Sequence, residues 1–209
     1  MPMKLLSFSL IALSAVLPTA IAEGVTPVVN QEWYNCLTRE VWSPHKQAWC
    51  AKLNQLKNRE YSLPNYDKFT LKSGTFENTA QRFAVNLVDH EGFVAFGDLN
   101  GDGREDAVVL LIVNSDSSGI FSYLTPILTT ENGLKSLYSQ FLGDRVQVQS
   151  LTIAEEKPEL KMVEPGPSDP QCCPTQAVTR VYQLQPQLVP VAGNSAPNSP
   201  LLVPLPTNP

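Results

Sequence analysis

The densest concentration of chemistry-bearing side chains reads Asp98-Leu99-Asn100-Gly101-Asp102-Gly103-Arg104-Glu105-Asp106. Counted from Asp98, oxygen-bearing side chains stand at positions 1, 3, 5 and 9, with glycine at position 6. Alternate side chains of a tight loop point inward, so this spacing surrounds one point with hard oxygen donors, as Ca²⁺ requires. Gly103 supplies the strained backbone turn, and Arg104 is expected to offer its carbonyl. Asp98, Asp102 and Asp106 crowd three carboxylates that repel one another unless a cation stands between them. No histidine or cysteine lies in the loop, which disfavours a softer metal. The expected cofactor is therefore Ca²⁺, held by Asp98, Asn100, Asp102, Arg104 and Asp106. The alternative is a plain Asn-Gly/Asp-Gly hairpin turn with solvated acids. That alternative leaves oxygen at all four positions unexplained.

Four cysteines are the second chemical feature: Cys36, Cys50, Cys172 and Cys173. An even number in an exported chain suggests two disulfides, with three possible connectivities. A Cys36–Cys50 bond would close a loop of roughly fifteen residues, contributing about 3 kcal/mol in the chain-entropy model. Cys172 and Cys173 are adjacent and framed by Pro170 and Pro174. They either bond to each other, as a strained and reducible vicinal pair, or each reaches an N-terminal cysteine. No Cys-x-x-Cys redox motif is present.

Other chemistries find little support. The chain has neither a G-x-S-x-G elbow nor an H-E-x-x-H helix, and no pair of carboxylates in a recognisable acid–base setting. His45 and His90 are its two histidines, too few for a His-rich zinc or iron site. His90 lies between Asp89 and Glu91, a setting for a base or for an exposed turn histidine. Trp33, Trp42 and Trp49 could stack on sugar rings or pack in a core. The net charge of −5 and the lack of a basic patch argue against nucleic acid as a partner.

These residues need elements to position them. The chain has 209 residues, 43% apolar and 17% charged, enough for a genuine core. Residues 1–22 read as a leader: Lys4, then an apolar stretch from Leu5 to Leu17, then Ala20-Ile21-Ala22 before a cut between Ala22 and Glu23. The expected location is secreted or periplasmic, with no membrane span in the mature chain. Residues 23–60 form a cysteine-framed helical segment. Ser43 is placed to cap a helix that starts at Pro44 and runs to about Asn58, with Trp49, Leu53 and Leu56 on one face.

Residues 61–186 read as a β-rich domain. Pro64-Asn65 marks a turn, and Phe83, Val85 and Leu87 alternate as a half-buried strand requires. Ala107–Val113 is a continuous apolar run, expected to be a central strand buried on both faces. Pro126 predicts that the next strand is an edge or carries a bulge. Asn132-Gly133 signals a hairpin. Val146 and Val148 alternate in one phase, Leu151 and Ile153 in the other, which predicts a bulge near Gln149-Ser150. Residues 187–209 are proline-rich and carry no charge, so a disordered tail unable to join a ladder is expected. The fold class is mainly β (α+β): an antiparallel sheet or sandwich of six to nine strands, with one N-terminal helix.

The first six loop residues match the EF-hand pattern, but position 12 is Val109 where that motif needs glutamate. Preceded by Phe96-Gly97 and followed by a strand, the loop resembles the shorter calcium loops of FG-GAP repeats. One such loop does not imply the propeller that those repeats build. From Val94 to about Leu184 the chain also resembles a group of secreted bacterial proteins without an established activity. The shared features are Gly97–Gly103, then Gly143-Asp144-Arg145-Val146, then Gly166-Pro167-Ser168-Asp169-Pro170-Gln171-Cys172-Cys173-Pro174-Thr175-Gln176. Thr38–Pro44 looks like a small module of other secreted proteins. These resemblances imply a periplasmic or cell-surface setting. The resulting expectation is a calcium-stabilised binding or structural domain for a polysaccharide or protein of the cell envelope. The alternative is a secreted hydrolase, or a thiol-redox protein using Cys172-Cys173.

Overall fold

The structure is a computed structural model that describes residues 32–115, 119–170, 172–185 and 201–204. The expected leader and its cleavage site lie outside these residues. The elements are α1 (Pro44–Lys57), β1 (Glu60–Tyr61), β2 (Phe69–Thr70), β3 (Thr75–Asn78), β4 (Phe83–Leu87), β5 (Val94–Gly97) and β6 (Asp106–Ser115). They continue with β7 (Ile120–Thr130), β8 (Gly133–Ser136), β9 (Gln140–Asp144), β10 (Gln147–Ala154), β11 (Lys157–Glu164), β12 (Gln176–Gln185) and β13 (Leu201–Pro204). The chain is thus mainly β, with antiparallel pairing throughout and one helix among the described residues. Among the described residues, thirteen strands exceed the six to nine expected, because several short, polar strands lack the apolar alternation that sequence reading relies on.

α1 starts where its capping chemistry dictates. The Ser43 hydroxyl accepts from the Lys46 amide at 3.2 Å, and Pro44 occupies the first turn, where a missing N–H costs nothing. Trp49, Cys50, Leu53 and Leu56 form its buried stripe. Asn58 ends the helix, and its side chain accepts from Ser73 N at 2.9 Å. The Tyr61 hydroxyl donates to the Leu56 carbonyl at 2.7 Å, satisfying a group from the last turn.

β6 and β7 form the central hairpin, paired from Ala107↔Ile127 to Asn114↔Ile120. Each has two short partners on its outer edge. β4 and β5 divide the edge of β6, while β8 and β9 divide that of β7. β3 completes this seven-stranded sheet, and a second sheet runs in the order β10-β11-β12-β13. The parity of β6 then builds three layers. Ala107, Val109, Leu111 and Val113 face α1 and the small β1–β2 ladder. Val108 and Leu110 face the second sheet, against Leu151, Leu160, Met162 and Tyr182. The apolar run is therefore buried on both faces, as its composition requires. Each fully buried aliphatic side chain there contributes about 1.5–3 kcal/mol.

Two further expectations meet the structure differently. The bulge is present, as a register shift between Val148 and Ser150. Pro126, in contrast, lies neither at an edge nor in a bulge: it pairs with Val108 inside the sheet. Its carbonyl accepts from Leu137 N at 2.9 Å, so its nitrogen faces the same way, toward the link between β8 and β9. No ladder partner is required there, and the missing N–H is tolerated. In the C-terminal stretch, Leu201–Pro204 pairs with β12, correcting the expectation that this region joins no ladder. Proline terminates that short strand, so Leu201, Leu202 and Val203 keep their donors. The rest of the expected tail lies outside the described residues.

Candidate functional site

The Asp98–Glu105 loop is the connection between β5 and β6, closed by the Gly97↔Asp106 pair. Close packing fixes its entry, since a Cβ on Gly97 would lie 2.8 Å from Ile153 Cγ2 on β10. Asp98 organises the turn: Oδ1 accepts from Asn100 N at 3.1 Å and Gly101 N at 2.8 Å, and Oδ2 accepts from Gly103 N at 2.7 Å. Asn100 Oδ1 accepts from Asp102 N, and its amide donates to Asp102 Oδ2, both at 3.1 Å. Asp102 Oδ1 accepts from Arg104 N at 2.9 Å. Gly101 and Gly103 sit at φ 74° and 78°, a left-handed backbone that glycine adopts without strain.

Asp106 differs from its neighbours because it is buried, only 1% exposed. Its two oxygens accept from Leu99 N at 3.0 Å and Thr129 N at 2.7 Å, tying the loop to β7. Burial pushes this carboxyl above the usual range, and the charges of Asp102 and Asp98 push it further, against those two hydrogen bonds. Asp102 is held below the usual range, first by the Arg104 amide and then by Asn100 and the Arg104 guanidinium. Arg104 thus contributes its guanidinium, with Nε 3.2 Å and Nη2 3.1 Å from Asp102 Oδ2. Glu105 turns away and pairs with Lys52 of α1.

Glu156, in the β10–β11 turn, was missed by sequence reasoning. A Cβ on Gly101 would lie 3.3 Å from its Oε1, so this carboxylate closes on the loop from a second sheet. No local signal links it to residues more than fifty positions earlier. Among the described residues, no three carboxylate, imidazole or thiol side chains stand as a ready-made metal cage. The donor chemistry nevertheless suits a hard cation: carboxylates and one amide, mutual repulsion felt at Asp106, and glycines where the backbone turns.

A second feature is a cleft of about 400 Å³ between the cysteine-framed segment, α1 and the turn before β5. Trp33 and Tyr34 form one wall; Asn35, Asn54, Lys57 and Asp89 supply polar groups. Trp33 is set by an edge contact with Trp49, centroids 6.2 Å apart, and by its indole N–H donating to the Asp89 carbonyl at 3.3 Å. Lys57 Nζ reaches Asp89 Oδ2 at 2.5 Å. The Cys36–Cys50 disulfide staples this wall to α1. The three tryptophans thus divide their roles: Trp49 packs in the core, Trp42 lies beneath the Lys46 ammonium at 5.3 Å, and Trp33 lines the cleft. His90 borders the cleft but is exposed in a turn.

Cys172 and Cys173 bond to each other at the turn between β11 and β12. No cross-link to the N-terminal cysteines forms, and no described cysteine is free. Asp169 braces this loop: Oδ2 accepts from Gly166 N and Thr175 N, each at 2.7 Å, and Oδ1 accepts from the Thr175 hydroxyl at 2.8 Å. The Gly143–Val146 motif is likewise structural. Asp144 Oδ1 accepts from Ile120 N at 2.9 Å, and Arg145 N donates to the Ile120 carbonyl at 2.7 Å, locking the start of β7. Among the described residues, no helix is long and apolar enough to cross a membrane. Compared with protein-family models, curated proteins and solved structures, the chain matches none.

Proposed function

We propose that the protein is an exported β-domain that binds a cell-envelope polysaccharide in the Trp33–Tyr34 cleft and is stabilised by calcium in the Asp98–Asp106 loop. The observation that carries the binding reading is the mixed lining of the cleft. Aromatic walls suit the apolar faces of sugar rings, and the amides of Asn35 and Asn54 with the Lys57–Asp89 pair suit their hydroxyls. A protein ligand of comparable affinity would need a broad patch with buried anchors, whereas this is a concave cleft of about 400 Å³ with a mixed lining. Calcium, when bound, would supply charge neutralisation for Asp98, Asp102 and Asp106, with Asn100 as a neutral donor and Glu156 as a carboxylate from the adjoining turn.

The test is titration calorimetry of the full exported chain against a panel of cell-wall polysaccharides, with calcium and with EGTA. Binding heat is expected from at least one glycan, and Trp33→Ala should remove it while leaving the circular dichroism spectrum unchanged. A folded wild-type protein that gives no heat across the panel would overturn the reading.

A further inference from the structure

The vicinal disulfide has no stabilising task that its loop needs. A bond with a sequence separation of 1 removes almost no chain entropy, whereas Cys36–Cys50 spans a separation of 14. The loop is already closed by the three contacts of Asp169 with Gly166 N, Thr175 N and the Thr175 hydroxyl, and by Cys173 N donating to the Pro170 carbonyl at 3.0 Å. None of these contacts involves sulfur. Both Cys172 and Cys173 are exposed, while Cys50 is 6% exposed in the core beside Trp49 and Leu53. Access therefore separates the two disulfides.

We propose that Cys172–Cys173 is a reversible thiol–disulfide exchange site whose reductant is a dithiol. A thiolate of that dithiol attacks one sulfur of the pair. The Cys172–Cys173 bond breaks, a mixed disulfide forms, and the released sulfur leaves as a thiolate and takes a proton. The second thiol of the reductant then attacks the mixed disulfide, leaves as the oxidised partner, and frees the remaining cysteine, which is protonated. Two electrons and two protons pass to the protein, and one dithiol becomes one disulfide. The Asp169 brace outlasts the bond, so the two thiols stay neighbours, ready to reclose or to chelate a soft centre together.

The experiment uses the full chain in its native state, titrated with dithiothreitol, quenched with a maleimide and mapped by peptide mass. Two labels on the peptide containing Cys172 and Cys173 are expected at a reductant concentration at least about tenfold below that opening Cys36–Cys50. The reduced pair should then bind phenylarsine oxide, a dithiol probe, in a one-to-one ratio. Joint replacement Cys172→Ser and Cys173→Ser should leave the thermal midpoint within about 2 °C of wild type and abolish arsenical binding. The proposal is overturned if both disulfides open together, if the pair opens only on unfolding, or if the double serine variant melts far below wild type.

Discussion

Calcium and the loop that would hold it can be separated by two variants whose effects the structure makes different in kind. Asp98→Ala removes the acceptor for three backbone N–H groups, those of Asn100, Gly101 and Gly103. An exposed hydrogen bond contributes about 0.5–1 kcal/mol net, so the variant should lose roughly 1.5–3 kcal/mol even in EGTA. With calcium at one hundred times its dissociation constant, wild type should gain about 2.7 kcal/mol, which the variant forgoes. For a chain of this size each kcal/mol moves the midpoint by roughly 2–4 °C, so the calcium-dependent shift is about 5–11 °C. Glu105→Ala removes only a half-exposed ion pair with Lys52. It should cost about 0–1 kcal/mol and leave the calcium shift intact. The assay is thermal unfolding followed by far-ultraviolet circular dichroism, in EGTA and in excess calcium, for all three proteins. A wild-type midpoint indifferent to calcium, with no heat on calorimetric titration, refutes the ion. The loop would then be a hydrogen-bonded hairpin in which Asp98 caps its own backbone.

Three other outcomes follow from the packing. Leu111→Ala, fully buried at the centre of β6, should cost about 2–5 kcal/mol in urea unfolding, and a loss below 1 kcal/mol would contradict the three-layer core. Ser43→Ala should cost about 1 kcal/mol by the same assay, because the Lys46 amide loses its cap; no change would mean that the cap bond is not populated. Asp169 is held below the usual carboxylate range, chiefly by the Gly166 amide and then by Thr175. Its folded-state value thus lies below the unfolded value of about 3.9, so its brace is fully present above that pH and fades as pH falls through the folded value. Protection factors of the Gly166 and Thr175 amides, taken relative to intrinsic exchange at each pH, should hold through the unfolded value and fall only below it, and Asp169→Asn should lower them already at neutral pH.

Legibility in the sequence followed the range of the forces involved. α1 was readable from Ser43 to Asn58 because a cap, a first-turn proline and an i, i+3, i+4 stripe act within one or two turns. The β10 bulge was readable because a parity change between Val148 and Leu151 is itself a local event. β8 was announced only by the Asn132-Gly133 hairpin signal and β9 not at all, since Gly133–Ser136 and Gln140–Asp144 carry little apolar alternation and exist by pairing with the edge of β7. Pro126 misled for the same reason: its tolerance depends on the gap between those two strands. The four cysteines left three connectivities open, which the tertiary structure resolves as Cys36–Cys50 and Cys172–Cys173.

Sequence alone determined the helix, the doubly buried β6, and a loop of oxygen donors at positions 98, 100, 102 and 106. These rest on neighbours in the chain, where side-chain type and spacing act directly on the backbone. Tertiary structure decided that Asp106 is buried and bonded to Thr129, that Glu105 turns to Lys52, and that Glu156 approaches Gly101. It also decided that Trp33 lines a cleft while Trp49 fills the core. Each of those outcomes depends on which distant residues the three layers bring within a few ångströms. That is settled by the collective burial of apolar faces and written at no single position of the chain.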